Sequence, residues 1–326
     1  MITYSIGLKN KFRGITVREG VLFEGPAGWA EWSPFLDYDD ATCVSWLRAA
    51  REAANDGWPA PVRDAVPVNC TVPAIDPARA AEIVRGSGCG TAKVKVAEPG
   101  QTLADDLARV EAVRDAIGPH GRVRIDANGG WSVDEAVRNL KELARFDLEY
   151  VEQPCASVHD LAAVRRRTEV LVAADESIRR AEDPLLVRDL EAADIAVLKV
   201  QPIGGVRACL EIAEQIGLPV VVSSALETSI GIAAGVALAA ALPELPYACG
   251  LATVSMFTSE VVADPLLPVD GMLPVVRPQP DPAALAAATA TPARAAAWQT
   301  RLHRVESLLN DITRVRTRCG LGWVGR

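Results

Sequence analysis

The chain has 326 residues, 49% of them hydrophobic, enough to bury one large domain plus a smaller one and too many for wholesale disorder. A net charge of −8 argues against nucleic acid or an anionic membrane as the main partner. Seven cysteines (Cys43, Cys70, Cys89, Cys155, Cys209, Cys249, Cys319) are scattered singly, in odd number and without C-x-x-C spacing, which reads as reduced core thiols in a cytoplasmic protein.

The start, Met1-Ile2-Thr3-Tyr4, lacks the basic and apolar regions of a signal peptide. Residues 1–65 read as a small α+β unit. Strand-like pieces at Tyr4–Ile6, Gly14–Val17 and Gly20–Phe23 are followed by a helical stretch from Asp40 through Arg51. Trp58-Pro59-Ala60-Pro61-Val62 interrupts all periodicity and reads as a linker.

Residues 66–258 alternate short β-branched runs with amphipathic stretches. Strands are expected at Val66–Val72, Ala92–Val96, Val123–Asp126, Tyr150–Glu152, Val170–Ala173, Ile195–Val200, Val220–Ser223 and Tyr247–Gly250. Helices are expected at Leu103–Ile117, Val133–Phe146 and Ala208–Ile216, and the apolar run Ile230–Leu242 is too short to span a bilayer and suits a buried helix. Strands too apolar for one-sided burial, alternating with helices, predict a parallel sheet covered by helices, and seven or eight units in about 190 residues point to a closed barrel. Residues 259–326 read as a long surface connection to Asp281, then a helical tail with Trp298, Leu302, Val305 and Leu309 along one side, returning to the N-terminal unit.

Only six residues are lysine: Lys9, Lys11, Lys93, Lys95, Lys141 and Lys199. As a strand, Thr91–Val96 puts Lys93 and Lys95 on one face, where adjacent ammonium groups are expected to lower at least one pKa. Polar residues then recur at the expected strand ends: Lys95, Asp126, Glu152, Asp175 with Glu176, and Lys199, at intervals of 31, 26, 23 and 24 residues. In a barrel these share one mouth. Taken singly, each has a plainer reading as a solvated edge, a turn, a loop carboxylate or a helix cap. Together, Asp126, Glu152 and Asp175 make an oxygen-rich set suited to Mg²⁺, flanked by amines able to move protons, the apparatus for abstracting a proton α to a carboxylate.

The order K-x-K, D-x-N, E-x-P, D-E, K resembles the enolase superfamily, in particular its muconate-cycloisomerase-like subgroup. Phe12–Gly20 and Gly28–Phe35 look like the corresponding segments of the short bacterial o-succinylbenzoate synthase family, while Gly250-Leu251-Ala252-Thr253 departs from relatives that often carry a second glycine. The resemblance implies a (β/α)₇β modified TIM barrel of the α/β class, under an α+β capping domain formed by the N-terminal segment and the C-terminal tail. It implies a lyase of menaquinone biosynthesis that dehydrates a cyclohexadiene carboxylate to 2-succinylbenzoate.

On this resemblance, Asp126, Glu152 and Asp175 hold Mg²⁺, and Lys95 removes the α-proton and protonates the departing hydroxyl. Lys199 stays charged opposite, and Lys93 tunes Lys95. Ser223, Ser224 and the helix starting near Thr228-Ser229 are candidates for the succinyl carboxylate, with Gly204 giving close backbone approach and Arg13 reaching in from the cap; ordinary capping and a surface arginine remain open for these. An N-acylamino acid racemase or dipeptide epimerase of the same superfamily is the alternative, with muconate cycloisomerisation and a silent metal-binding barrel behind it. The oligomeric state is open.

Overall fold

A computed structural model of the chain describes residues 1–181 and 183–318; Cys319 lies outside the described residues. Three antiparallel strands, β1 (Ile2–Phe12), β2 (Ile15–Gly25) and β3 (Gly28–Trp32), form the first sheet in that order. They are longer than the separate pieces expected, because Gly20 does not break β2. It pairs with Tyr4, and a Cβ there would lie 2.6 Å from the Ser33 Cβ and 2.8 Å from the Tyr4 hydroxyl oxygen, so the glycine serves close packing inside a strand. Helix α1 (Cys43–Asn55) starts and ends slightly later than expected and buries Trp46, Leu47 and Ala50 in the same apolar cluster as this sheet.

The segment expected as one strand at Val66–Val72 splits into β4 (Ala65–Pro67) and β5 (Cys70–Val72). From there the chain runs α2 (Pro77–Ser87), β6 (Thr91–Lys95), α3 (Leu103–Ile117), β7 (Arg122–Asp126), α4 (Val133–Leu143), β8 (Leu148–Glu152) and α5 (Val158–Arg165). It continues through β9 (Val172–Ala174), α6 (Glu176–Arg179), α7 (Leu186–Asp189), β10 (Ile195–Leu198), α8 (Val200–Ile203), α9 (Val206–Ile216), β11 (Val220–Val222) and α10 (Ser229–Ala241). Local chemistry sets several starts. Asp76 accepts from the Arg79 N–H with Pro77 in the first turn of α2, and Ser132 and Glu135 form a capping box on α4, each worth about 1 kcal/mol. Helix α10 carries no charged residue because it is buried on all sides.

Strands β5 to β11 form one parallel sheet in chain order, and residues 249–250 close it. Cys249 exchanges hydrogen bonds with the stretch before β5, donating to the Pro67 carbonyl at 2.7 Å and accepting from the Asn69 N–H at 2.9 Å. Gly250 does the same after β11, donating to Val222 at 2.8 Å and accepting from Ser224 at 3.0 Å. The eighth stave is therefore only two residues long. Alternate residues point inward: Tyr150, Ala173, Ile195, Val197 and Val221 pack as a plug, and above it on the same staves stand Glu152, Asp175, Lys199 and Ser223.

The stretch after Thr258 is less exposed than expected. Val261, Val262 and Leu266 are buried, and β12 (Met272–Pro274), which the sequence reading missed, pairs antiparallel with β4. Helix α11 (Pro282–Ala288) leads to α12 (Pro292–Arg318), which lays Trp298, Leu302, Val305 and Leu309 on the first sheet. Trp298 meets Trp32 edge-on at 5.5 Å, and Glu19 accepts from Arg294 and the Trp298 indole. The tail thus covers the N-terminal unit. Among the described residues no helix is long and apolar enough to cross a membrane.

Candidate active site

Period-two geometry turns Lys93 and Lys95 into the barrel, and the register of β6, β7 and β8 sets Lys95 beside Asp126 and Asp126 beside Glu152. Asp175 follows β9 and Lys199 follows β10, half-way round the ring from β6. All six converge. Lys93 Nζ donates to both Glu152 oxygens at 3.0 and 2.9 Å and lies 3.4 Å from Asp126 Oδ2. Lys95 Nζ donates to Asp126 Oδ2 and Asn128 Oδ1, both at 2.6 Å. Lys199 Nζ donates to Asp175 Oδ2 at 2.6 Å, while Arg179 Nε donates to Asp175 Oδ1 at 2.8 Å.

The three carboxylates are fully buried, so their charges depend on these partners. Burial pushes Asp126 up, but Lys95 and Lys93 outweigh it and hold the carboxyl well below its usual range. Burial likewise opposes ionisation of Asp175, and Arg179 and Lys199 reverse it. Glu152 goes the other way: burial, then the Asp126 charge beside it, raise it despite Lys93. The depression expected for the lysine pair is not found at Lys93. Burial would lower that ammonium, but Glu152 and Asp126 hold it well above its ordinary value. Carboxylates on the next two strands, Asp126 and Glu152, set its charge instead.

Among the described residues no group of three His, Cys, Asp or Glu side chains stands in metal-holding geometry as it is; ammonium and guanidinium groups take up the carboxylate oxygens instead. The donor set itself, three buried carboxylates on successive staves, offers only hard oxygen and fits a hard divalent cation.

Above the charged ring lies a cavity of about 720 Å³, lined by Lys93, Lys95, Lys199 and, from the tip of the β1–β2 hairpin, Phe12 and Arg13. Ser223 and Ser224 line it too, with the Ser224 hydroxyl 2.8 Å from that of Thr253. A Cβ on Gly250 would come within 2.5 Å of Ser223 Oγ, so this glycine lets the last stave pass the serine. The next residue, Leu251, sends its side chain outward onto Gly235 of α10.

Two expected substrate contacts are corrected. Gly204 does not line the cavity: with φ +116 it ends α8 and faces the backbone of Ser45 on α1, so together with Gly205, which lies against Ala49 and Glu52, it serves the seam between helices. The start of α10 lies where expected, but its N–H groups are taken. Glu31 Oε2 accepts from the N–H groups of Thr228 (3.0 Å) and Gly231 (3.2 Å), and Glu260 Oε1 accepts from that of Ser229 (2.8 Å). Neither glutamate was singled out in the sequence, since each lies far along the chain from the helix it caps. Arg179, Arg180 and Tyr38 were also missed; the run Asp175-Glu176-Ser177-Ile178-Arg179-Arg180 carried the signal, with Arg179 one helical turn after Asp175.

The chain is similar to known proteins. The enolase C-terminal domain-like family matches residues 76–281 and the enolase N-terminal domain-like family matches residues 3–54. An o-succinylbenzoate synthase from Thermobifida fusca is 64% identical over 95% of this chain and 97% of its own, and one from Mycolicibacterium smegmatis is 54% identical over 94% of each. Among solved structures, muconate lactonizing enzyme from Pseudomonas fluorescens superposes with a TM-score of 0.77 at 21% identity, covering 89% of this chain and 97% of its own. The L-Ala-D/L-Glu epimerase of Bacillus subtilis does so at 0.73 and 23%, covering 85% and 95%. The chain belongs to the enolase superfamily and, within it, to the o-succinylbenzoate synthase family.

Proposed function

We propose that the chain is a hydro-lyase that converts 2-succinyl-6-hydroxy-2,4-cyclohexadiene-1-carboxylate into 2-succinylbenzoate and water, a step of menaquinone biosynthesis. The observation that carries this reading is the pair Lys95 and Lys199, on opposite staves of the ring with Asp126, Glu152 and Asp175 between them. Kinship of 64% identity with a protein of that activity's name supports it.

In the proposed chemistry, neutral Lys95 takes the proton from the carbon bearing the ring carboxylate, leaving an enolate-like dianion. The Lys95 ammonium then gives a proton to the hydroxyl leaving from the same face; the carbon–oxygen bond breaks, water departs, the ring becomes aromatic and Lys95 is neutral again. The Lys199 ammonium faces the developing negative charge from the other side. Lys93 clamps Glu152 with both oxygens occupied and so fixes the wall beside Lys95. Mg²⁺ held by Asp126, Glu152 and Asp175 would supply Lewis-acid stabilisation of the substrate carboxylate. Residues 66–258 would then act as the catalytic barrel, with residues 1–65 and helices α11 and α12 as the cap above it, while β12 stays with the barrel at β4.

The test is formation of 2-succinylbenzoate from that substrate, followed by its absorbance, with and without EDTA. Turnover should vanish on chelation and return with excess Mg²⁺. No product from metal-replete protein would overturn the reading, and unchanged turnover in EDTA would overturn the metal assignment.

A further inference from the structure

The substrate of the proposed reaction has two carboxylates, and the charged ring accounts for the one beside the reacting carbon. The end of α10 cannot hold the other, because Glu31 and Glu260 occupy it. We propose that the distal carboxylate is bound at the cavity mouth by Arg13 and Arg180, with Arg179 behind them, a cluster gathered around Tyr38. This inference rests on the dehydration reading, from which it takes the dicarboxylate.

The three guanidinium groups arrive from two places, the hairpin tip and the end of α6, and converge on one oxygen. Tyr38 Oη accepts from Arg13 Nη2 at 3.2 Å, Arg179 Nη1 at 3.3 Å and Arg180 Nη2 at 3.0 Å. All three arginines line the cavity. A neutral phenol oxygen has two lone pairs for three donors, whereas a carboxylate offers about four acceptor sites and a matching charge. Arg13 is held for the purpose: it sits at the hairpin tip with φ +49, and its guanidinium lies 3.9 Å over the Phe35 ring.

The charge of the cluster is only partly compensated. Arg179 is committed to Asp175 and Glu176, and Arg13 shares the solvent-exposed Asp37 at 3.3 Å. Arg180 makes no ion pair with a carboxylate among the described residues; it donates to the Tyr38 phenol, whose ring lies 5.3 Å away. The cationic surplus pulls Tyr38 below its ordinary value, against the effect of its burial. A rim of surplus cations on a chain of net charge −8 favours an anionic end group.

The experiment is equilibrium binding of 2-succinylbenzoate and of 2-butyrylbenzoate, which carries a methyl in place of the distal carboxylate, in saturating Mg²⁺. Wild-type protein, Arg13→Gln, Arg180→Gln and Arg180→Lys are compared, with circular dichroism to verify folding. Wild type should prefer the succinyl compound at least tenfold, as expected for a charge-assisted pair of hydrogen bonds. Either glutamine variant should reduce the preference to about threefold or less without changing affinity for the butyryl compound, and Arg180→Lys should recover part of it. Glutamine variants that keep the wild-type preference, or lose affinity equally for both ligands, overturn the subsite and leave the dehydration reading standing. A wild-type protein that binds neither compound overturns that reading and the subsite with it.

Discussion

Buried carboxylates in this chain meet two fates, decided by the cations within reach. Asp175 touches both Arg179 and Lys199 and stays ionised although fully buried. Glu227, equally buried, accepts from the Ala225 N–H and from Gln201, with Glu31 facing it and Arg18 the nearby cation. Burial first, then the Glu31 charge, push Glu227 up to about 7. A folded-state value above the ordinary 4.5 means the folded protein binds the proton more tightly than the unfolded chain. The stabilisation is complete below pH about 4.5 and is lost as pH rises through about 7, at roughly 1.4 kcal/mol for each pH unit crossed between those two values. Glu227→Gln should therefore flatten the fall in stability between about pH 5 and 8, by up to a few kcal/mol in denaturant melts. Identical pH slopes for variant and wild type would remove the assignment. Glu260 is raised in the same direction, so the difference between the two slopes is the informative quantity. None of this was legible in the sequence, where the lysine pair drew attention to its own repulsion; the partners that set these charges come from other strands.

At the scale of elements, α10 was legible as a helix and its cap was not. Thirteen residues without a charge announce a helix buried all round, and Thr228-Ser229 announces its start. The glutamate that seals that start, Glu31, comes from β3, 197 residues earlier than Thr228. Glu31 also accepts from the Tyr4 hydroxyl at 2.7 Å and the Ser33 hydroxyl at 2.6 Å, tying the first sheet to the barrel. Glu31→Ala leaves several buried donors without an acceptor at once, at about 1–3 kcal/mol each where no water enters. A loss of at least about 3 kcal/mol in denaturant unfolding is expected, with Glu31→Gln milder because it keeps one acceptor oxygen. A loss below about 1 kcal/mol for Glu31→Ala would show that water substitutes for the carboxylate. Similar reasons explain the other misreadings. Strand β12 has three residues ending in proline and is defined only by its pairing with β4, and Gly20 reads as a break until Tyr4 and Ser33 are seen packed against it.

For the whole molecule, ring closure is what makes scattered residues into a site. Intervals of 31, 26, 23 and 24 residues between Lys95, Asp126, Glu152, Asp175 and Lys199 were legible because a strand and a crossover helix consume about that much chain. Two residues at 249–250 complete the circle, and without them β6 and β10 would belong to an open sheet and their lysines would diverge. The mouth's outer features were less legible, since Arg13, Tyr38 and Arg180 come together only when the hairpin folds over the barrel. The central claim is that Lys95 and Lys199 work on one substrate from opposite sides. Turnover of the cyclohexadiene carboxylate by Lys95→Ala and Lys199→Ala, each shown to be folded, tests it most directly. Both variants should lose at least about 10³-fold in kcat, in line with the loss of a positioned proton-transfer or charge-stabilising group. A rate near that of wild type in either variant would contradict the claim.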